Sequence, residues 1–131
     1  MSKAKEKHKI LIIDDEKALL EMFETKFKKE GFAIHIETNG LSGLTKASEI
    51  KPDLILLDIM MPGIDGVETL KAFKKCTSLN TKIVIFSNLS ETSDNIKDAM
   101  ELGADEYLLK ANFTPGEIVE HVKKLIKEEK K

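Results

Sequence analysis

Acidic side chains follow two short apolar runs of the sequence, and a lysine follows a third. Asp14 and Asp15 end the first run, and Asp58 ends the second. Lys110 ends the third run. The runs occupy residues 10–13, 54–57 and 107–109, and each is short enough to be a strand buried on both faces. Carboxylates that meet at one edge of a sheet repel each other unless a cation lies among them. A nearby lysine indicates an anion, so a divalent metal ion together with a phosphoryl group is the simplest chemistry.

Strand-like and helix-like segments alternate five times along the chain. The strand-like segments are 10–13, 33–37, 54–57, 83–86 and 106–109. The helix-like segments are 16–30, 41–50, a segment from about 65 through 73, 90–102 and a segment from 114 through 125. This alternation predicts an α/β fold, (βα)5, with a doubly wound five-stranded parallel sheet. The order 2-1-3-4-5 suits five units and places the three aspartates at the switch point between the first and third strands.

Local signals set several of the predicted helix ends. Gly31 is expected to end the first helix. Lys51 is expected to end the second helix, because it precedes a proline. Asp65 with Glu68 three residues later predicts the start of the third helix. The sequence TPGE at 114–117 provides a cap, a proline and a glutamate in the order that begins a helix.

Length and composition favour one compact domain over 1–131, with a core at about 9–127 and charged tails. The formal net charge of −2 gives no general attraction to nucleic acid or anionic membranes. No apolar run approaches the roughly 18 residues of a membrane span, and no signal peptide is evident. Cys76 is the only cysteine, so no disulfide can form within the chain and we expect a cytoplasmic protein. The three histidines lack the spacing of metal ligands.

The ordered set of polar residues resembles the receiver domain of two-component response regulators, including single-domain regulators of the chemotaxis type. The matching positions are Asp14, Asp15, Asp58, Met61-Pro62-Gly63, Asp65-Gly66, Ser87, Tyr107 and Lys110. The resemblance extends over almost the whole chain. It implies the flavodoxin-like version of the predicted fold.

The resemblance also implies a phosphorylation site. Asp58 would accept a phosphoryl group from a sensor histidine kinase or phosphotransfer protein, and Lys110 and Ser87 would contact the phosphoryl oxygens. Mg²⁺ would be the cofactor, since it prefers oxygen ligands and retains some of its water. Its implied ligands are Asp14, Asp15, Asp58 and the backbone carbonyl of Met60. The domain would catalyse only its own phosphorylation and dephosphorylation.

Two surfaces are implied as partner sites. Movement of Ser87 and Tyr107 would alter the surface formed by the fourth helix, the fifth strand and the last helix, where a downstream protein would bind. Its candidate residues are Asp94, Lys97, Asp98, Glu101, Glu106 and Tyr107. Ala18, Met22 and Lys26 share one face of the first helix, where we expect the kinase to dock. We expect a monomer or a phosphorylation-dependent dimer that does not contact nucleic acid directly and does not insert into a membrane.

The sequence departs from the family pattern at three places. Ala111 replaces the proline that often follows the lysine, so either a strained cis bond persists or the loop runs differently. Asn88 stands where a very small residue is usual. The apolar Met60 and Leu89 predict slow dephosphorylation.

Other function classes remain open at this point. A haloacid-dehalogenase-type phosphatase is disfavoured, because Met60 occupies the position where that family has a second aspartate. A flavodoxin-like electron carrier is disfavoured as well, because the acidic first loop does not suit a flavin phosphate. A receiver that serves as an interaction or dimerisation domain without a used phospho-switch is the main alternative. We expect a single-domain regulator rather than a fragment of a longer one.

Overall fold

The computed structural model describes residues 7–59, 66–77, 80–88 and 93–127, with the backbone alone at 66–67 and 93–96. Its strands are β1 (Lys9–Ile13), β2 (Ala33–Glu37), β3 (Leu54–Leu57), β4 (Lys82–Ser87) and β5 (Glu106–Leu109). Its helices are α1 (Lys17–Lys29), α2 (Gly40–Ile50), α3 (Gly66–Cys76), α4 (Ser93–Glu101) and α5 (Pro115–Lys127), and a 3-10 turn spans Lys110–Asn112. Within this described part of the chain, no helix is both long and apolar enough to cross a membrane.

The five strands are parallel and lie in the order β2-β1-β3-β4-β5, which confirms the predicted topology. Ile13 pairs with Leu57 at the end of the β1–β3 ladder. The ladder continues one residue further, since the Asp58 N–H donates to the Ile13 carbonyl at 3.0 Å. The Asp14 N–H likewise donates to the Glu37 carbonyl at 3.1 Å. Sheet hydrogen bonds therefore fix the backbone of both aspartates.

Both faces of the central strands are covered, which explains why β3 and residues 10–13 of β1 are continuously apolar. Ile10 and Ile12 of β1 face the cluster under α1 and α5, whereas Leu11 and Ile13 face the cluster under α2 and α3. All four side chains are at most 2% exposed. Since neither face of β1 is open to solvent, a polar side chain fits only where the strand leaves the sheet, and Asp14 therefore marks the end of β1.

The predicted helix ends are confirmed where the structure describes them. Gly31 adopts φ +91° after α1, a conformation that glycine tolerates. Lys51 takes the left-handed conformation after α2. At the start of α5, the Thr114 N–H donates to Glu117 Oε1 at 2.8 Å, and the Glu117 N–H donates to Thr114 Oγ1 at 3.2 Å. The expected cap at Asp65 and helix start at Ser90 lie outside the described residues.

Candidate functional site

Three carboxylates meet at the carboxyl edge of the sheet, where β1 and β3 end. Asp14 and Asp58 are 1% and 4% exposed, whereas Asp15 is exposed to solvent. One oxygen atom from each carboxylate lies within 4.8 Å of the other two. A cluster of carboxylate oxygens with one open side suits a hard cation such as Mg²⁺, which keeps several water ligands. The fourth predicted ligand, the carbonyl of Met60, lies outside the described residues.

Lys110 lies over this cluster, directly after β5. Its Nζ atom is 2.5 Å from Asp14 Oδ2 and 3.2 Å from Asp58 Oδ2, and its side chain is 10% exposed. Nζ is also 3.2 Å from Glu16 Oε1. The sequence reasoning missed Glu16, although an acidic residue directly after the aspartate pair was a signal that it could join the site. One ammonium group is thus shared among three carboxylates.

Ser87, the last residue of β4, orients the carboxylate of Asp58. Its hydroxyl donates to Asp58 Oδ1 at 2.9 Å, and its side chain is fully buried. Since Lys110 donates to Oδ2, both oxygens of Asp58 have a donor, one at the end of the adjacent strand β4 and the other after the edge strand β5. Of the three predicted phosphorylation residues, Ser87 and Lys110 therefore each contact Asp58 directly.

Burial and neighbouring charges shift the pKa values of two groups in this site, Asp14 and Lys110. Burial raises the pKa of Asp14, against the lowering effects of Lys110 and of the Glu16 N–H, which donates to Asp14 Oδ1 at 2.9 Å. The nearby charge of Asp58 raises the Asp14 pKa as well. Burial alone would lower the pKa of Lys110, but its bonds to Asp14 and Asp58 outweigh this and the pKa is raised. Burial thus disfavours the ionised form of Asp14, and a bound cation would favour it.

The loop after Lys110 does not contain the strained bond considered above. The described residues contain no cis peptide bond, and Lys110–Asn112 form a 3-10 turn closed by the Phe113 N–H donating to the Lys110 carbonyl at 3.2 Å. Ala111 is therefore accommodated by a different path of the loop. Asn88 is exposed next to Ser87. Tyr107 is half-buried against the cluster under α2 and α3, and its hydroxyl oxygen is excluded from solvent.

The two predicted partner surfaces are formed as follows. On α1, Ala18 and Lys26 are exposed and Met22 is half-buried, and their four-residue spacing places them on one face. On the second surface, the exposed residues are Lys97, Asp98 and Glu101, and the half-buried ones are Glu106 and Tyr107. The side chain of Asp94 lies outside the described residues.

A contact across the second surface was not predicted. His121 Nε2 of α5 lies 2.5 Å from Glu106 Oε1 of β5. The His121 ring also packs against Phe113, with the ring centroids 5.9 Å apart. Because residues 106 and 121 belong to different elements, no local pattern in the sequence indicated this contact.

The family model described as the response regulator receiver domain matches residues 10–123. The chain therefore belongs to the response regulator receiver domain family. It is 34% identical over 119 residues to the alkaline phosphatase synthesis transcriptional regulatory protein PhoP of Bacillus subtilis, covering 91% of this chain and 48% of PhoP. The chain thus spans about half the length of the curated relatives it matches.

Solved receiver structures share the fold. The CheY-like receiver domain protein of Methanospirillum hungatei superposes with a TM-score of 0.83 at 26% identity, over 92% of this chain and 94% of that one. The BeF3-activated receiver domain of Klebsiella pneumoniae RstA gives a TM-score of 0.79 at 25% identity, over 92% and 100% of the two chains. The sequence-based assignment to this family is confirmed.

The raised pKa of Asp14 predicts that Asp14→Asn stabilises the protein. A carboxyl whose folded pKa is raised binds its proton more tightly in the folded state, so its ionisation penalises folding at neutral pH. Asparagine removes that charge and keeps an oxygen acceptor for the Glu16 N–H. We expect a gain of about 0.5–2 kcal/mol in the free energy of unfolding at neutral pH, from urea titrations without Mg²⁺.

The gain should shrink as the pH falls through the folded pKa of Asp14, where wild-type protein becomes protonated at that site. Asp98→Asn, at an exposed position of α4, is the matched control and should change stability little. A destabilised Asp14→Asn protein would show that the ion pair with Lys110 outweighs the burial of the carboxylate.

Proposed function

We propose that this chain is a phosphorylation-activated signalling switch in which Asp58 accepts a phosphoryl group from a sensor histidine kinase or phosphotransfer protein. The observation that carries the proposal is the environment of Asp58. Its two carboxylate oxygens accept hydrogen bonds from Ser87 and Lys110, and two further aspartates lie beside it. These groups are the ones needed to hold a nucleophilic carboxylate and to receive the charge of a phosphoryl group.

In the proposed reaction, a carboxylate oxygen of Asp58 forms a bond to phosphorus while the phosphorus–nitrogen bond of a phosphohistidine breaks. The electron pair of that bond returns to the imidazole nitrogen, which takes a proton from solvent. Mg²⁺ bound by Asp14, Asp15, Asp58 and the Met60 carbonyl would neutralise charge on the phosphoryl oxygens. Lys110 would turn from the carboxylates to donate to one phosphoryl oxygen, and Ser87 would donate to another.

The proposed output begins at Ser87. A phosphoryl group adds charge and three acceptor oxygens, so the Ser87 hydroxyl has a new partner in place of Asp58 Oδ1. Its displacement would change the packing around Tyr107, which lies one strand away on β5. We propose that the surface of α4, β5 and α5 then binds a downstream protein, and that the receiver region contacts protein rather than nucleic acid. The contact between Glu106 and His121 crosses this surface.

Intact-mass measurement after incubation with acetyl phosphate tests the proposal. We expect wild-type protein to gain the mass of one phosphoryl group only when Mg²⁺ is present, and Asp58→Asn to gain none. Asp98→Asn removes a carboxylate from an exposed part of α4 and should be phosphorylated like wild type. A folded wild-type protein that takes up no phosphoryl group, from acetyl phosphate or from phosphorylated histidine kinase domains, would overturn the proposal. It would favour a receiver fold used for constitutive interaction or dimerisation.

A further inference from the structure

Glu16 shares the site lysine with the two buried aspartates, although it is not part of the carboxylate cluster that suits a metal ion. Its Oε1 lies 3.2 Å from Lys110 Nζ, and its side chain is 61% exposed. The metal-type cluster comprises Asp14, Asp15 and Asp58. Glu16 therefore adds a negative charge at the open side of the site and contacts its cation without belonging to the proposed set of metal ligands.

The backbone of Glu16 is held in place on both sides. Its N–H donates to Asp14 Oδ1 at 2.9 Å, and its carbonyl accepts from the Leu20 N–H at 3.1 Å in the first turn of α1. Glu16 is the N-cap of α1 and its side chain makes no capping bond. Since the carboxylate is not used to cap the helix, its contacts among the described residues are with Lys110 alone. Only rotation about the side-chain bonds can move it away from the lysine.

We propose that Glu16 is a positioning residue that slows phosphorylation of Asp58 by small anionic donors, an inference that rests on the proposed function. Two effects act in the same direction. Glu16 holds Lys110 Nζ away from an incoming phosphoryl oxygen, and its charge repels an anionic donor at the exposed entrance. A histidine kinase that docks over this entrance would supply its own contacts to offset the repulsion. Glu16 thereby favours phosphorylation by a protein donor over phosphorylation by metabolites of the acyl phosphate class.

The test compares the phosphorylation rate constants of wild type and Glu16→Gln, measured by intact mass at saturating Mg²⁺. Glutamine has the same shape without the charge. For acetyl phosphate, which carries two negative charges, we expect the variant to react about threefold to tenfold faster at low salt. Phosphoramidate carries one net negative charge, so its rate should rise by a smaller factor. For both donors, the ratio of the Glu16→Gln rate to the wild-type rate should approach one at about 1 M salt, where charges are screened within about 3 Å.

Glu21→Gln is the matched control, because it removes the same charge from an exposed position further along α1 and should leave both rates unchanged. A purely structural role for Glu16 would not make the rate ratio depend on salt or on donor charge. Equal rates, or a slower Glu16→Gln protein, would overturn this inference while leaving the proposed function intact. A wild-type protein that takes up no phosphoryl group from any donor would overturn both.

Discussion

Replacing Lys110 with methionine is expected to lower the free energy of unfolding by about 3–5 kcal/mol at neutral pH. The Asp14 and Asp58 side chains are 2% and 5% exposed, and both accept from the Lys110 ammonium group. Methionine has a similar length but no charge, so the variant leaves two buried carboxylates facing each other without the ammonium group that contacts both of them. Such uncompensated buried charge is costly, whereas a surface ion pair contributes little.

The pH dependence of this loss follows from the pKa of Lys110. Its folded pKa is raised above the usual value of a lysine, so its stabilisation is fully present at neutral pH and is lost only when the pH rises above that usual value. At neutral pH the whole contribution is therefore removed by the substitution. In acid the loss should decrease, since Asp14, whose pKa burial raises, then becomes neutral.

Urea unfolding of wild type and Lys110→Met, with and without Mg²⁺, measures these effects. A cation held by the same carboxylates would replace the missing charge, so Mg²⁺ should stabilise the variant more than it stabilises wild type. Lys124→Met, at an exposed position of α5, is the control and should change stability by less than about 0.5 kcal/mol. A loss of less than about 1 kcal/mol in Lys110→Met would show that water already screens the site.

The sequence could predict the site because strand ends are marked by composition. Residues 10–13 of β1 and all of β3 are buried and apolar, so Asp14 and Asp58 had to lie where these strands leave the sheet. Lys110 follows β5, an edge strand that is half-buried rather than covered on both faces as its apolar run predicted, and only its position after that run marked it. Parallel pairing then brings these ends to one edge, as the register between Ile13 and Leu57 shows. The positions of the site residues thus required only the correct elements and their order.

The contacts that could not be predicted join residues of different elements through side-chain packing. Glu16 meets Lys110 across 94 positions of sequence, and that contact depends on how α1 begins. Lys82 begins β4 with a buried side chain that donates to the Leu125 carbonyl of α5. At Gly43 a Cβ atom would lie 2.6 Å from Ile13 Cδ1, so α2 approaches β1 closely there. Periodicity gives the face of a helix but not its distance from the sheet.

The double variant Ala18→Glu with Lys26→Glu is expected to slow phosphotransfer from a histidine kinase domain by about 30-fold to 100-fold. Ala18 and Lys26 are exposed on either side of the half-buried Met22, along the face of α1 that begins beside the carboxylate site. A phosphohistidine can reach Asp58 only if the helices that carry it dock next to this entrance. The variant adds two negative charges to that face and removes one positive charge, which opposes docking by charge and by size.

The measurement uses a panel of phosphorylated histidine kinase domains and retains the domain that transfers fastest to wild type. The rate of transfer from this domain to the double variant is then compared with the rate at which acetyl phosphate phosphorylates the double variant. Acetyl phosphate requires no docking, so its rate should differ from the wild-type rate by less than about threefold. Because both replaced side chains are exposed, the free energy of unfolding should change by less than about 1 kcal/mol. A large effect on one donor class alone would therefore locate the docking surface.

Ser48→Glu with Lys75→Glu provides the matched control, since it makes the same change in net charge at exposed positions of α2 and α3. Equal slowing by both double variants would mean that the total charge of the domain, and not the α1 face, controls encounter with the kinase. Equal slowing of the two donor classes by the α1 variant would place the effect at the carboxylate site itself. Only loss of kinase transfer with normal acetyl phosphate rates, confined to the α1 variant, agrees with docking at Ala18, Met22 and Lys26.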